Sequence, residues 1–410
     1  MPRILQINTV AVNGSTGRIV EGIGKCAIQR GYESVVAFGR ACHSESSSRM
    51  IRIGNEFDVI KHALLTRLLD RQGLESRRAT KKLIADIDKS LPDIIHLHNI
   101  HGNYLHYPTL FEYIKVRKIP LVWTLHDCWA MTGHCVHFTA VNCNKWKSAC
   151  YQCPRLSSYP KSWFWDRSAL NYECKKSSFT SVPDMHVVTV SDWLKTVVQE
   201  SFLSDFPIRT IHNGIDVSSF YPRETEDIIK NKYNLNGKFV ILGVATGWSR
   251  ENGLYEFIEL SKRLPDSFAI VLVGVDDSVK SILPKGIIGI NRTDSVDELA
   301  MLYSAADIFI NGSFEETFGL VTAEALACGT PVIVYDSTAC AEIVNSKVGY
   351  IVPVGDLDQI IDCIYAHRHK LEDEIEQQSK FCAEYAATKF DRIAKFNEYI
   401  NLYDEILNRS

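Results

Sequence analysis

Segment 311–333 constrains the fold of this chain more than any other stretch. Its pattern predicts the end of a strand, a polar turn, a helix that opens near Phe318 and a new strand from Pro331. Two consecutive strands joined through a helix lie parallel in one sheet, and helices then cover that sheet. The segment therefore predicts an α/β fold.

Two carboxylates flank the predicted start of this helix. Glu316 lies in the turn, and Glu324 lies about two helical turns further on. The first N–H groups of a helix have no helical partner, and that end of the helix favours an anion. The amides concerned here are those of Phe318, Gly319, Leu320 and Val321. This combination of carboxylates and amides suits a ligand with both hydroxyl and phosphate groups, such as a nucleotide sugar.

A second interpretation treats the two glutamates as structural, with Glu316 complementing the helix dipole and Glu324 forming an ion pair. We favour ligand binding, because Glu324 lies in the small, apolar run 322–327. Burying a carboxylate there without partners would be costly.

Short apolar strands alternate with helical patterns through both halves of the 410 residues. We expect an α/β protein of two doubly wound, Rossmann-like domains facing a central cleft. The predicted N-terminal domain spans 1–220 and the C-terminal domain 221–390, with a polar link at 220–236. A terminal helix at 391–410 is expected to cross back to the N-terminal domain.

Composition excludes some classes of protein. The net charge of −4 gives no pull toward nucleic acid. No apolar run approaches the roughly 18 residues that span a bilayer, and no export signal is recognisable at the start. We therefore expect a cytoplasmic protein without a disulfide framework, despite its 12 cysteines.

Polar residues follow three predicted strands of the N-terminal half. A glycine-rich turn of Gly14, Ser15, Thr16 and Gly17 follows the first strand. It is either a phosphate or acceptor cradle or simply a packing turn. His98 and Asn99 follow a second strand, and His126 and Asp127 follow a third. Ligands of open α/β sheets bind beyond the carboxyl ends of the strands, so these residues are candidates for the cleft.

The helical region 57–91 carries eight basic residues beside an apolar stripe of Leu64, Leu65, Leu68 and Leu69. One interpretation is a core-facing helix with a solvated outer face. The other is a surface that rests on anionic lipid at the inner face of the cell membrane, formed mainly by 61–89.

An irregular insert at 128–165 contains four closely spaced cysteines: Cys135, Cys143, Cys150 and Cys153. Clustered thiols in a cytoplasmic chain more often bind metal than form disulfides, and the last two form a C-x-x-C pair. The longer spacings match no standard zinc pattern. A structural zinc site, reduced thiols and a disulfide all remain open here.

Together these motifs resemble glycosyltransferase family 4, retaining enzymes of the GT-B fold, and particularly the bacterial colanic-acid and exopolysaccharide glycosyltransferases. The resemblance covers nearly the whole chain. Its motifs lie at 14–18, 92–102, 122–129, 132–135, 213–216 and 302–307, and in the E-x7-E block at 316–324.

The resemblance implies a role for each matching residue. Glu316 would bind the donor sugar and His126 would contact it near the reacting centre, and both are candidate catalytic residues. Glu324 would bind the ribose. The remaining implied donor-binding residues are Gly14, Ser15, Thr16, Gly17, Arg250, Gly274, Thr293, Phe318, Gly319, Leu320 and Val321. His98, Asn99 and Asp127 are acceptor-side candidates.

The implied activity is transfer of a sugar from a UDP- or GDP-sugar to a glycan or lipid-linked acceptor, with no cofactor required for catalysis. One departure weakens this expectation. The family usually has an Arg and a Lys that neutralise the diphosphate, and here Gly247 and Asn252 occupy those positions. This departure motivates one alternative, a nucleotide-sugar-binding subunit with little or no turnover. A further alternative is an epimerase on the same fold, which needs carboxylates poised for elimination chemistry, and the motifs fit transfer better.

Overall fold

The computed structural model describes residues 1–40, 44–224 and 226–409. Within these ranges the chain divides into two compact units. Unit 1 comprises Met1–His212 together with Ile393–Ser410, and unit 2 comprises Asn213–Arg392. Each unit is built on its own parallel sheet, which confirms the predicted pair of doubly wound α/β domains.

Unit 1 contains a seven-stranded sheet in the order β3-β2-β1-β4-β5-β6-β7. Its strands are β1 (Arg3–Asn8), β2 (Glu33–Phe38), β3 (Arg49–Arg52), β4 (Ile94–Leu97), β5 (Leu121–Leu125), β6 (Met185–Thr189) and β7 (Ile208–Thr210). The helices are α1 (Gly14–Gln29), α2 (Glu56–Leu69), α3 (Arg77–Asp88), α4 (Tyr107–Arg117), α5 (Ser168–Phe179) and α6 (Asp192–Gln199). The central strands β4 and β5 are buried along their whole length, as expected for a parallel sheet.

Unit 2 contains a six-stranded parallel sheet in the order β10-β9-β8-β11-β12-β13. Its strands are β8 (Phe239–Val244), β9 (Phe268–Val273), β10 (Ile287–Ile290), β11 (Ile308–Asn311), β12 (Val332–Tyr335) and β13 (Gly349–Val352). The helices are α7 (Glu226–Lys232), α8 (Leu254–Arg263), α9 (Asp277–Lys280), α10 (Val296–Ala305), α11 (Leu320–Ala327), α12 (Leu357–Arg368) and α13 (Glu372–Phe390).

The last helix, α14 (Arg392–Leu407), returns to unit 1. Its apolar face joins a core cluster with side chains of α1 and of strands β1, β4, β5 and β6. The ring of Phe396 lies so close to α1 that a Cβ on Gly22 would be 2.0 Å from it. The Tyr403 hydroxyl lies 2.6 Å from His96 Nδ1 in the buried sheet. Helix α14 is therefore part of the unit 1 core.

The division between the units falls at His212 and Asn213, earlier than the predicted boundary at 220. The reason is a pairing that the sequence did not indicate. Ile215 forms a bridge with Asp391, and its N–H donates to Phe390 O at 2.7 Å. Both chain segments of this bridge therefore belong to unit 2, and the predicted link at 220–236 includes helix α7.

The predicted helical region 57–91 consists of two helices, α2 and α3, and the apolar stripe of α2 does not face the core. None of Leu64, Leu65, Leu68 and Leu69 is buried. The buried positions of α2 are His62 and Thr66 instead. His62 Nε2 accepts from Gly73 N–H at 3.0 Å. The core-facing interpretation of this stripe was therefore wrong, because polar contacts anchor the helix. None of the helices in the described ranges has the length and apolarity of a bilayer span.

Candidate active site

The strand order of unit 2 places a crevice between β8 and β11. The chain runs outward from β8 to β9 and β10, then returns to the other side of β8 with β11. Ligands of open α/β sheets bind beyond the carboxyl ends of the strands at such a reversal. The segments that follow β8 and β11 are 245–253 and 312–319. The second of these contains the predicted Glu316.

These two segments are in direct backbone contact. A Cβ on Gly253 would lie 2.7 Å from the Gly312 Cα, so a side chain at this crossing would collide with the main chain. Phe314 N–H donates to Glu251 O at 2.9 Å. The glycine at each position therefore allows the two loops to form one continuous floor.

Hydrogen bonds on both sides hold the turn that contains Glu316. Asn311 Nδ2 donates to Thr322 Oγ1 at 3.0 Å, which ties the end of β11 to α11. Glu316 N–H donates to Thr338 Oγ1 at 2.9 Å, and Glu316 O accepts from Ala339 N–H. The backbone of Glu316 is therefore fixed before any ligand arrives. Burial raises the pKa of the Glu316 carboxyl to about 7, while a hydrogen bond with Ser313 acts in the opposite direction.

Helix α11 begins at Leu320, two residues later than predicted. Gly319 precedes it with φ +95°, a left-handed conformation that favours glycine. Gly319 O accepts from the N–H groups of Thr322 and Ala323. The amides of Leu320 and Val321 thus lie ahead of the first helical hydrogen bond, where an anion is favoured.

Glu324 and Phe318 have different environments. Glu324 is half-buried in the second turn of α11, and its Oε2 accepts from the Tyr303 hydroxyl at 3.2 Å. Tyr303 itself is completely buried. Phe318 is also buried and packs edge-on against Phe390, with ring centroids 5.5 Å apart. Its side chain therefore belongs to the core, and only its backbone remains a candidate for ligand contact.

The other predicted donor-side residues of unit 2 follow strands β8, β9 and β10. Arg250 is exposed in the short turn Arg250–Asn252. Gly274 follows β9 and donates its N–H to Ile290 O at 2.9 Å. Thr293 follows β10, which is separated from β8 by β9. Thr293 is thus at the same sheet edge but two strands away from the crevice.

In unit 1 the strand order reverses between β1 and β4, and the predicted residues gather at their ends. Asn8 connects them: its Oδ1 accepts from Asn99 N–H at 3.1 Å, and its Nδ2 donates to Thr16 Oγ1 at 3.1 Å. The glycine-rich turn is therefore tied to the end of β4. Gly17 is buried, whereas Ser15 is exposed.

A chain of side-chain hydrogen bonds determines which nitrogen of His126 carries the proton. Gln6 Nε2 donates to Val20 O at 2.9 Å, which leaves Gln6 Oε1 as an acceptor. His98 Nε2 lies 3.2 Å from that oxygen and must donate to it. His98 Nδ1 then accepts, so His126 Nε2, 3.1 Å away, is the donor. The Nδ1 atom of His126 is therefore its acceptor nitrogen.

Both of these histidines are neutral near pH 7. Burial lowers the pKa of His126 to about 4, an effect opposed by the charge of Asp127. Burial also lowers the pKa of His98 well below its ordinary value, with His96 and His126 adding to the effect. His98 is only 1% exposed. We therefore assign His98 to positioning His126, whereas the sequence had suggested direct acceptor contact.

Asp127, also predicted on the acceptor side, is engaged within unit 1. Its Oδ2 lies 2.7 Å from His101 Nε2, and its Oδ1 accepts from Trp129 N–H at 2.8 Å. Burial opposes ionisation, but these contacts outweigh it, so the pKa of Asp127 falls to about 2. The carboxylate thus fixes the start of the insert.

Sequence reasoning missed the supporting residues Gln6, Tyr303 and Thr338. Gln6 gave a detectable signal, since it is a polar residue inside the apolar strand β1 and is completely buried. Such a residue needs specific partners. Tyr303 and Thr338 gave no comparable signal, because their contacts to Glu324 and Glu316 depend on tertiary packing.

Two family models match the chain. The one described as Glycosyltransferase Family 4 matches residues 16–219, and the one described as Glycosyl transferases group 1 matches residues 238–367. The first therefore lies in unit 1 apart from its last residues, and the second lies in unit 2.

Curated relatives have related descriptions. The chain is 25% identical over 388 residues to WcaC of Escherichia coli K12, a protein assigned to colanic acid biosynthesis as a glycosyl transferase. That match covers 87% of this chain and 89% of WcaC. This chain is also 27% identical over 228 residues to the O-antigen chain mannosyltransferase RfbU of Salmonella typhimurium LT2. That match covers 53% of this chain and 56% of RfbU.

Solved structures share the fold at low sequence identity. Sucrose-phosphate synthase from Thermosynechococcus elongatus matches with a TM-score of 0.73 at 17% identity, covering 100% of both chains. Anabaena Alr3699/HepE, solved in complex with UDP-glucose, matches with a TM-score of 0.68 at 14% identity. That match covers 98% of this chain and 99% of the Anabaena chain.

Proposed function

Because this chain belongs to glycosyltransferase family 4, we propose that it transfers a sugar from a nucleoside-diphosphate sugar to a glycan or lipid-linked acceptor during polysaccharide biosynthesis. One observation carries the proposal. Glu316 and Glu324 flank the free N–H groups at the start of α11, beside the β8–β11 reversal. Carboxylates for hydroxyl groups and amides for phosphate are thereby combined at one site.

The donor is proposed to bind with its diphosphate at the amides of Leu320 and Val321. Glu324, held by the Tyr303 hydroxyl, would accept hydrogen bonds from the ribose. Glu316 would accept them from the sugar. Structures of Alr3699/HepE with UDP and with UDP-glucose support a nucleotide-sugar donor. GDP is a second candidate carrier, because the chain is also 26% identical over 181 residues to the GDP-mannose-dependent alpha-mannosyltransferase of Mycobacterium tuberculosis.

We propose a reaction that retains the configuration of the sugar. The acceptor oxygen bonds to the anomeric carbon, the bond from that carbon to the diphosphate breaks, and the acceptor proton passes to a phosphate oxygen. The protein would contribute positioning and stabilise the departing charge. His126 would accept a hydrogen bond from the sugar through Nδ1, the nitrogen left as acceptor by His98.

The proposal is tested with the purified chain, UDP- and GDP-sugars and lipid-linked acceptors, with nucleotide release as the measurement. Glu316→Ala should lower kcat/KM by roughly 10²- to 10³-fold. Glu372→Gln, which changes an exposed carboxylate at the start of α13, is the matched control. Release by the Glu316 variant at the wild-type rate, or no release from any donor, would refute the proposal.

The same experiment separates the alternatives. Nucleotide binding by calorimetry without any product would favour a binding subunit, and a changed sugar without an acceptor would favour an epimerase.

The geometry offers a further test of the missing diphosphate charges. A Cβ on Gly247 would meet no atom within 4 Å, so the first atom of a side chain is accommodated there. Gly247→Arg should therefore increase donor affinity if charge neutralisation limits turnover.

Membrane contact is part of the proposal, and helix α2 supports it. Phe57, Ile60 and Leu64 are exposed along one side of α2, Phe57 by 71%. The exposed segment 163–165 lies beside them, since Trp163 N–H donates to Arg67 O at 2.7 Å. Its Phe164 is 75% exposed.

Basic side chains accompany this apolar surface. Lys61 and Arg67 are exposed on α2, and the Arg67 guanidinium lies 5.7 Å from the centre of the Trp163 ring. The exposed basic residues of α3 are Arg77, Arg78, Lys81 and Lys82. Aromatic and apolar side chains beside basic ones favour the surface of an anionic bilayer. We therefore propose peripheral binding at the cytoplasmic face of the membrane.

A further inference from the structure

The cysteine-rich insert has little regular structure of its own. Between Cys128 and Trp165 its described backbone forms three short 3-10 turns, Trp129–Met131, Thr139–Val141 and Lys145–Lys147. Ordering each residue costs backbone entropy, so such a segment needs other cross-links. None of the described cysteines forms a disulfide. Four of them, Cys135, Cys143, Cys150 and Cys153, line a single pocket.

His134 lines the same pocket and has the geometry of a metal ligand. Its side chain is 0% exposed, and its Nδ1 lies 2.6 Å from Asp70 Oδ1. A carboxylate that accepts from Nδ1 leaves the lone pair on Nε2, as in many metal-bound histidines. The Nε2 atom is buried and has no hydrogen-bond partner. An unpaired buried polar atom destabilises the fold, and a bound ion would remove that cost.

Two of the thiols are hydrogen-bonded to each other, and a third accepts a hydrogen bond from a backbone amide. Cys135 and Cys153 are hydrogen-bonded through their side chains. Cys150 Sγ accepts from Gly133 N–H at 3.1 Å. An amide that donates to sulfur stabilises a thiolate, the form in which cysteine binds metal.

A buried lysine lies next to the pocket. Lys175 is 1% exposed, and its Nζ donates to Trp129 O at 2.7 Å and to Thr132 O at 2.9 Å. It forms no ion pair with any residue in the described ranges, although the charges of Asp70 and Asp127 act on it. Burial disfavours the ammonium form. A zinc ion with three thiolates carries one net negative charge and would favour that form.

We propose that this pocket binds a structural zinc ion through the thiolates of Cys135, Cys150 and Cys153 and Nε2 of His134. Mixed thiolate and imidazole ligands in a closed tetrahedral site select zinc. The sequence had suggested Cys143 as the fourth ligand. His134 takes that place because its Nε2 atom is buried and has no hydrogen-bond partner.

Binding requires the pocket to contract. No three of these ligand atoms all lie within 4.8 Å of one another in the described structure. Zinc–ligand distances of about 2.0–2.3 Å would bring the four ligand atoms closer together. The ion would then anchor the backbone that continues from His126 and Asp127. The inference is independent of the proposed reaction, because it concerns metal content alone.

The test is the metal content of the full chain, purified under reducing conditions without a metal-binding tag. Mass spectrometry of the metals should find about one zinc per chain. Cys150→Ser with Cys153→Ser, and separately His134→Gln, should reduce zinc to below about one tenth of that level. The matched control is Cys363→Ser, a half-buried thiol in unit 2, which should retain all the zinc.

A second measurement uses the wild-type chain, so it does not depend on folding of the variants. Cobalt exchanged into the site should show the electronic spectrum of a tetrahedral thiolate complex. A wild-type chain with reduced thiols but neither zinc nor cobalt binding would overturn the site. Loss of zinc in Cys143→Ser together with its retention in His134→Gln would overturn the proposed ligand set.

Discussion

At the scale of single residues, the His98–His126 pair is the point where structure adds most to the sequence. His126 was recognisable as a candidate because it ends an apolar strand. Its tautomer was not, because that depends on Gln6 and Val20, which are far from it in sequence. The acceptor nitrogen of His126 is therefore defined before any ligand binds, and the ring is oriented for one kind of hydrogen bond.

We predict that in His98→Phe the tautomer of His126 is no longer fixed, because phenylalanine offers no acceptor to His126 Nε2. Turnover should fall by roughly 10²-fold, since the imidazole is no longer held in one orientation. Long-range proton–nitrogen NMR should show the Nε2–H tautomer of His126 in the wild type and a mixture in the variant. His98→Gln, which restores an acceptor oxygen, should recover part of the activity. An Nδ1–H tautomer in the wild type would contradict the assignment.

Glu316 gives a prediction about pH. Its pKa of about 7 in the folded protein lies above the ordinary value of 4.5, so the folded state holds the proton more tightly. Stability from this group is therefore present below about pH 4.5 and is lost as pH rises through about 7. Glu316→Gln should remove that loss. The difference in melting temperature, variant minus wild type, should therefore be larger at about pH 8 than at about pH 5. Equal changes in both proteins would contradict this.

At the scale of elements, the bounds of strands were predicted most accurately where burial alone decides the structure. The strand that ends at the start of segment 311–333 and the new strand from Pro331 were both predicted, and they are observed as β11 (Ile308–Asn311) and β12 (Val332–Tyr335). Strand β3 was missed, because its sequence Arg-Met-Ile-Arg is polar at both ends and lies at the sheet edge. The start of α11 was misplaced, since Gly319 adopts a left-handed conformation that no periodicity reveals.

Helix α2 carries the prediction at this scale. Changing Phe57, Ile60 and Leu64 to serine removes three exposed apolar side chains, each worth about 1.5–3 kcal/mol when fully buried in lipid. Binding to vesicles that contain anionic lipid should therefore drop by more than about tenfold. Co-sedimentation is the measurement. Leu371→Ser in unit 2, a change at another exposed leucine, is the control. Undiminished binding of the triple variant would exclude this helix as the contact.

At the scale of the whole molecule, the sequence predicted two α/β domains and a returning helix, but it did not predict what the helix contacts. Tyr403 of α14 reaches His96 in the centre of the unit 1 sheet. His96 in turn stacks near His98, with ring centroids 4.0 Å apart. The last helix thus supports the residues that orient His126. Only the three-dimensional path of the chain brings these residues together.

We predict that Tyr403→Phe destabilises unit 1 by about 1–3 kcal/mol, because a buried nitrogen of His96 loses its partner. Denaturant unfolding followed by tryptophan fluorescence should detect this, since Trp123 and Trp129 are buried in unit 1. The control Tyr255→Phe removes an exposed hydroxyl in unit 2 and should change stability by less than about 0.5 kcal/mol. Equal effects of the two changes would refute the assigned role of α14.

The discontinuity of unit 1 also bears on the order of events during synthesis. The ribosome makes residues 1–212 first, then all of unit 2, and only afterwards the helix that completes the unit 1 core. Unit 2 is continuous in sequence and has every one of its strands available as it emerges. Residues 1–212 of the nascent chain therefore lack their last core helix, and the surface around His96 stays uncovered, until translation has passed Tyr403. Chaperones that shield apolar surface would have most to protect during that interval.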